Sequence, residues 1–275
     1  MQLELSGAFG GVVSGKVAFR TTGSAEDPAL ELLWAAGCSG ILEADGEIVA
    51  YFDAPVALPL DGSWEPADAT DWVAEYHRTL TPLTLGRLVV APTHRLVTLA
   101  AGQRALWLDP GMAFGSGHHE TTYLALAALE QTDLRGKRVL DVGAGSGILA
   151  IAADLLGAAD AEGVDIDPET LVVAQQNALL NLSRAHFSVG TLTPETAPAD
   201  VVVANLFAEL HAELAGAYRQ ALKPGGLLLA TGILAERGEV AHAPFTASFG
   251  VVQTERKGEW LLMRARGPES GLEDV

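Results

Sequence analysis

The sequence predicts an α/β protein: a doubly wound, seven-stranded, mostly parallel sheet preceded by a small α+β domain. Three observations predict it. From about Arg104, strand-length apolar runs alternate with helix-length segments. Runs such as Val201-Val202-Val203 lack the polar alternation of a half-wet strand, so they suit strands covered on both faces. Finally, Leu140-Asp141-Val142-Gly143-Ala144-Gly145-Ser146-Gly147-Ile148 sets three alternating glycines directly after an apolar run. Strand, glycine turn and helix in that order begin a nucleotide-binding βαβ unit.

Along the chain, Gln2–Leu5 alternates as a strand does. Ser24 reads as a helix N-cap with Asp27 completing a capping box, and Gly37 closes that helix. Two strands, 40–44 and 47–52, flank Asp45-Gly46, the favoured two-residue hairpin turn. Gly62-Ser63-Trp64-Glu65-Pro66 reads as a loop and marks a soft boundary. A helix at about Thr70–Leu80 and a strand at Arg87–Ala91 either complete a small ferredoxin-like sandwich or connect the two regions. The expected domains are therefore 1–66, a linker region 67–103, and 104–275. In the last, strands are predicted at 138–142, 161–165, 185–189, 200–204, 227–231, 249–255 and 259–265. Helices are predicted at 120–131, 146–156, 168–181, 206–222 and 234–241. The last two strands are too close for a crossover, so they form an antiparallel hairpin.

Composition narrows the classes. A net charge of −18 over 275 residues repels phosphate backbones, so nucleic acid is not an expected partner, whereas a basic protein is attracted. The single cysteine, Cys38, forms no intramolecular disulfide and fits a reducing cytoplasm. The N-terminus lacks the basic and apolar regions of a signal peptide, and no apolar run is long enough for a membrane span. A monomer is expected.

The glycines let a ligand approach the backbone at the strand's carboxyl end, where a helix N-terminus offers free N–H groups. Asp165 ends the next strand, 22 residues after Gly143, and a carboxylate there is placed to accept from both ribose hydroxyls of a nucleoside. Asp167, before Pro168, reads as a helix cap. A dinucleotide fingerprint needs its third glycine at position 148, which is Ile148; Gly147 comes one residue early. The run is G-x-G-x-G. With the acid after the second strand, that form resembles S-adenosylmethionine methyltransferases of the seven-stranded, Rossmann-like class. A nicotinamide oxidoreductase is the rival opposed by the early glycine.

A second stretch narrows the resemblance. Asp109-Pro110-Gly111-Met112-Ala113-Phe114-Gly115-Ser116-Gly117-His118-His119-Glu120-Thr121-Thr122 is a glycine-rich loop running into a helix. It is similar to the corresponding stretch of the bacterial methyltransferases that modify ribosomal protein L11. Those enzymes also carry the Asp-Val-Gly turn and a Val-Ala-Asn strand end, found here as Val203-Ala204-Asn205. The resemblance implies methyl transfer from S-adenosylmethionine to amino groups of that ribosomal protein, with the small N-terminal domain recognising it. Carried over residue by residue, Thr122, Gly143, Gly145, Asp165, Ile166 and Asn205 match cofactor contacts, and Phe114 and Gly117 match the loop covering the cofactor. Asn205 is also the expected catalytic residue. Its neutral amide can accept from an incoming N–H, whereas a carboxylate would hold the amine as a cation that cannot attack. As an alternative, Asn205 caps the following helix.

This chain departs from the pattern in three places. His118-His119-Glu120 is contiguous, Leu206-Phe207 follows Asn205, and Val189-Gly190-Thr191 offers no acid to adenine. For adenine, a backbone amide at Gly190 or Thr191 serves instead. The histidine pair is not read as a metal site, since adjacent side chains on a helix diverge by about 100°. Other acceptors, and a binding-only protein without turnover, stay open.

Overall fold

The computed structural model describes residues 17–23, 32–33, 36–38, 40–44, 46–66, 81–93, 95–108 and 119–269. Its contacts divide the chain into two units, Met1–Arg78 and Thr79–Val275. The expected strand at 2–5, the capping box at Ser24 and the helix at 70–80 lie outside the described residues.

In the first unit, β1 (Val17–Thr22), β2 (Gly40–Ala44), β3 (Glu47–Phe52) and β4 (Ser63–Pro66) form an antiparallel sheet in the order β2-β3-β1-β4. Ala44 pairs with Glu47, which confirms the two-residue hairpin around Asp45-Gly46. The helix between β1 and β2 ends as expected: Gly37 has φ +85°, and the Cys38 N–H donates to the Leu33 carbonyl at 3.2 Å. Two expectations are corrected. Residues 63–66 form an edge strand rather than a loop, because Trp64 packs on Phe19 and Phe52 with ring centroids 5.1 Å from each. Burying an indole outweighs the strand's brevity, and at an edge Pro66 need not donate. It is also β4, and not the strand near 87–91, that completes this sheet.

That later strand belongs to the second unit. There β5 (Leu83–Leu85) and β6 (Leu88–Pro92) form a hairpin, and β6 runs parallel to β7 (Arg104–Leu108). Part of the region expected to be a linker, at 83–85 and 88–92, is therefore sheet. Leu85, Leu88, Val90, Leu106 and Leu108 are buried in one core with α1 (Glu120–Gln131) and α2 (Ile148–Leu155). Asn181, at the C-cap of α3 (Pro168–Leu180), clamps β7: its amide accepts from Trp107 N and donates to Trp107 O, both at 2.7 Å.

The main sheet comprises β8 (Arg138–Val142), β9 (Asp160–Asp165), β10 (His186–Val189), β11 (Ala199–Asn205), β12 (Leu222–Leu234), β13 (Val252–Lys257) and β14 (Trp260–Arg266). Their order is β10-β9-β8-β11-β12-β14-β13. The five from β10 to β12 are mutually parallel, and β14 is antiparallel to both neighbours, as the hairpin expectation required. Helices α1, α2 and α3 cover one face, and α4 (Ala208–Ala221) and α5 (Gly238–Phe249) the other. The run Ile148–Ala153 of α2 is entirely buried, as a helix apolar on all sides must be. Winding reverses between β8 and β11, so their carboxyl ends flank the crevice where doubly wound sheets bind ligands. Among the described residues, no helix is long and apolar enough to cross a membrane.

Candidate active site

Both strands at the switch point deliver a predicted residue to its rim. From β8 the chain turns through Gly143, Gly145 and Gly147, all with positive φ (+76°, +50° and +77°). At Gly143 a side chain is excluded twice, by conformation and because a Cβ would stand 2.5 Å from Leu206 Cδ2. That approach sets the turn directly against the residue after Asn205. At Gly147 a Cβ would meet Phe187 at 2.7 Å and Ala174 at 3.0 Å. Part of the glycine requirement is thus internal packing.

Asp165 is already at work in this arrangement. Its Oδ2 accepts from Gly145 N at 2.8 Å and its Oδ1 from Asp167 N at 3.0 Å. Each oxygen keeps one lone pair, and the half-buried carboxylate remains reachable. Asp167 caps α3, accepting from Glu169 N at 2.8 Å, with Pro168 at the first helical position. Ile166 between them is 76 % exposed, an apolar side chain left uncovered beside a carboxylate. Of the two amides expected to meet adenine, Gly190 N is spent on the Asp165 carbonyl at 2.8 Å, which continues the β9–β10 ladder. Only Thr191 N remains for that role.

Asn205 ends β11 in register with Thr231. The following helix begins at Ala208 with Phe207 in the N-cap position, so Asn205 stands two residues before the cap. None of the side-chain hydrogen bonds among the described residues engages the Asn205 amide. The capping alternative therefore has no geometric support. Phe207 itself is 70 % exposed at the same rim.

From α1 comes Thr122, fully buried, whose hydroxyl has no hydrogen-bond partner among the described residues. Its neighbour Thr121 shares a 2.8 Å contact with His119 Nδ1. His119 caps α1 and meets the Trp260 ring edge-on at 5.0 Å. The β13–β14 turn holds the same helix: Lys257 Nζ lies 4.3 Å from the Tyr123 ring centre. Phe114, Gly117 and His118 lie outside the described residues.

Sequence reasoning missed Asp141, a charge inside the apolar β8, and that anomaly was the available sign. It is fully buried: Oδ2 accepts from Ala150 N at 3.2 Å, capping α2 in place of side-chain-less Gly147, while Oδ1 has no partner among the described residues. Burial pushes its pKa up to about 7; the Ala150 N–H works against the rise and the nearby Asp165 charge adds to it. The folded chain thus holds this proton more tightly than the unfolded chain, and stability falls as pH rises from about 4 to about 7, by roughly 4 kcal/mol in all. His211, buried with its pKa lowered to about 4, gives the opposite slope below pH 6.5. We expect Asp141→Asn to remove the first slope and leave the second. It should stabilise the unliganded chain at pH 8 by roughly 1–3 kcal/mol, less than the full amount because an amide N–H₂ inherits the unpartnered place. Thermal melts of both proteins from pH 5 to pH 8 check this; parallel curves would show that Asp141 does not titrate in the fold.

Among the described residues, the glycine turn thus follows a strand with an unpartnered carboxylate oxygen and meets strand ends that carry an uncommitted amide and an exposed isoleucine, while α1, which packs on β11, adds an orphaned hydroxyl. They suit a ligand with a polar, cationic amino-acid end and an apolar, nucleoside-like end. The strand order, the G-x-G-x-G turn and the acid ending β9 define a seven-stranded, Rossmann-like methyltransferase. The sequence model of the ribosomal protein L11 methyltransferase family (PrmA) matches residues 47–267. The ribosomal protein L11 methyltransferase of Thermus thermophilus is 46% identical over 251 residues, covering 89% of this chain and 97% of its own. That of Deinococcus radiodurans is 46% identical over 254 residues, covering 86% and 93%. A crystal structure of ribosomal protein L11 methylase from Lactobacillus delbrueckii subsp. bulgaricus superposes with a TM-score of 0.62 at 30% identity, covering 68% of this chain and 100% of that one. The chain belongs to the ribosomal protein L11 methyltransferase family.

Proposed function

We propose that this chain transfers methyl groups from S-adenosylmethionine to amino groups of ribosomal protein L11 in the cytoplasm, with lysine side chains and the N-terminal amine as candidate acceptors. The observation that carries the reading is the close approach of Gly143 to the Leu206 side chain, which brings the glycine turn against the residue after Asn205, whose amide makes no hydrogen bond among the described residues. When bound, S-adenosylmethionine supplies a methyl group on a cationic sulfur. Asp165 would hold the ribose through its remaining lone pairs, Ile166 would pack on adenine, and Thr122 and Gly145 would contact the amino-acid end. Phe114 and Gly117, on the loop before α1, would cover it.

What the chain's own residues must then do is present a neutral amine in line with the methyl. A lysine ordinarily titrates near 10.4, so losing its proton near pH 7.4 costs about 4 kcal/mol. Desolvation at the crevice lowers that cost. The Asn205 carbonyl oxygen accepts an N–H from the neutral amine and so fixes the direction of its lone pair. Most of the acceleration on this reading is positioning.

Two measurements test it. Incubation with labelled S-adenosylmethionine and purified ribosomal protein L11, read by peptide mass, should show methyl-sized increments on amines; increments on glutamine amides, or none, would overturn the acceptor assignment. Calorimetry should show binding of S-adenosylmethionine and its demethylated product, but not of NAD. Asp165→Ala should weaken that binding at least tenfold, since charge-assisted hydrogen bonds contribute roughly 1.5–3 kcal/mol each. The Gly145 N–H loses its acceptor in the same variant. An unchanged dissociation constant would remove Asp165 from the ribose.

A further inference from the structure

Beneath Asn205 the structure is more elaborate than a strand end requires. One residue past its partner Thr231, β12 breaks: Gly232 adopts φ +86°, and the ladder to β14 shifts between Thr231 and Ile233. A Cβ on Gly232 would stand 2.4 Å from Leu206 O, 2.8 Å from Leu206 N and 2.8 Å from Asn205 Oδ1. The first two are backbone atoms that cannot swing aside. The Asn205–Leu206 segment therefore rests in a gap that only glycine leaves.

The carbonyl just before that gap is doubly held. Thr231 O accepts from Leu206 N at 3.0 Å and lies 2.8 Å from His211 Nε2. His211 is fully buried on the first turn of α4, edge-on to Phe245, with its Nδ1 3.1 Å from the Tyr218 hydroxyl. A carbonyl accepts only, so Nε2 carries the proton and Nδ1 accepts from Tyr218. Neither ring nitrogen is left without a partner, and the ring ties α4 to the peptide that fixes Asn205.

We propose that Gly232 and His211 are positioning residues for methyl transfer, which fix the backbone at Asn205–Leu206 and thereby aim the Asn205 amide at the acceptor. The proposal rests on the reading of Asn205 given above. It predicts coupling: damage to the support should matter to turnover only while the Asn205 amide is present.

The test is a set of double-mutant cycles on the full-length chain, with ribosomal protein L11 as acceptor. His211→Leu, His211→Gln and Gly232→Ala are each made with and without Asn205→Ala. Single-turnover rate per folded molecule and affinity for S-adenosylhomocysteine are measured for all. With Asn205 present, His211→Leu and Gly232→Ala should each slow transfer about tenfold while affinity moves less than about twofold. His211→Gln should recover most of the rate, because its side-chain N–H₂ can donate to Thr231 O. In the Asn205→Ala background none of the three should cost further rate. If His211→Leu does not fold, the Gly232→Ala cycle decides alone. Equal losses in both backgrounds, or unchanged rates with Asn205 present, would overturn the proposal and leave these residues as ordinary core. Full turnover by Asn205→Ala alone would instead overturn the reading of Asn205, and the proposal with it.

Discussion

Asn205→Ala is expected to slow single-turnover methyl transfer on the order of a hundredfold while leaving cofactor affinity within a few-fold of the parent. The two effects separate because the amide sits at the carboxyl edge of β11, whereas the glycine turn follows the adjacent β8, and Asp165 and Ile166 stand at the end of β9, one strand further away. Removing a hydrogen bond that orients the nucleophile misplaces it, and misplacement by about 1 Å costs on the order of a hundredfold. Stability should move little, by about 0.5 kcal/mol or less, because the amide makes no hydrogen bond among the described residues. A true helix cap would behave in the opposite way, losing about 0.5–2 kcal/mol on truncation with turnover per folded molecule preserved. Phe207, and not Asn205, holds the N-cap position of α4, which is why we expect the first pattern. Melting temperature, affinity for S-adenosylhomocysteine and single-turnover rate, measured on one preparation, distinguish the two. An early melt with normal turnover would return Asn205 to a purely structural role.

The parallel half of the sheet was legible because buried strands announce themselves as apolar runs. β8 was expected at 138–142 and found there, and β11 was expected within a residue of its bounds. Where competing effects met, the sequence misled. The last helix was expected at 234–241, which stops short of Pro244; yet α5 runs Gly238–Phe249 with Pro244 inside. Burial of Ala241 and Phe245 on one face outweighs the hydrogen bond that proline deletes. β1 was missed because half of Val-Ala-Phe-Arg-Thr-Thr is only partly buried, and β4 because its single anchor is Trp64.

The candidate site shows the same division. Its glycines and Asp165 were legible as spacing. That Asp165 spends half its acceptor capacity on Gly145 and Asp167 was not, because spacing fixes a residue's position and not its hydrogen bonds. His211 was not singled out in the sequence, where it sits in a helix that also carries Glu209, Glu213 and Arg219. Its seven-residue separation from Tyr218, two helical turns on the same face, was the available hint that both point inward. The Gly190 amide shows the converse: it looked free in sequence and is consumed by sheet continuation.

Removing the first unit, residues 1–78, is expected to leave cofactor binding nearly intact and to cut methylation of ribosomal protein L11 by at least a hundredfold in kcat/KM. The first unit has a core of its own, built from Phe19, Leu33, Ile48, Ala50 and Phe52. Every residue proposed to hold the cofactor lies in the second unit, which carries two further cores of its own around the main sheet. Truncation therefore leaves the chemistry in place and takes away a surface. A hundredfold loss corresponds to about 2.8 kcal/mol of binding energy, a modest share of what a protein-sized acceptor gains from contacts remote from the reacting nitrogen. Because such contacts are spent on orienting the acceptor, the loss should fall on kcat as well as KM, and raising the ribosomal protein concentration should not restore the full rate. A short lysine peptide, too small to use the lost surface, should be methylated slowly and equally by both forms. The measurements are calorimetry with S-adenosylhomocysteine and initial rates for both acceptors. Full-rate methylation of the ribosomal protein by the truncated chain would mean that the second unit recognises it unaided, and that the first unit serves another purpose.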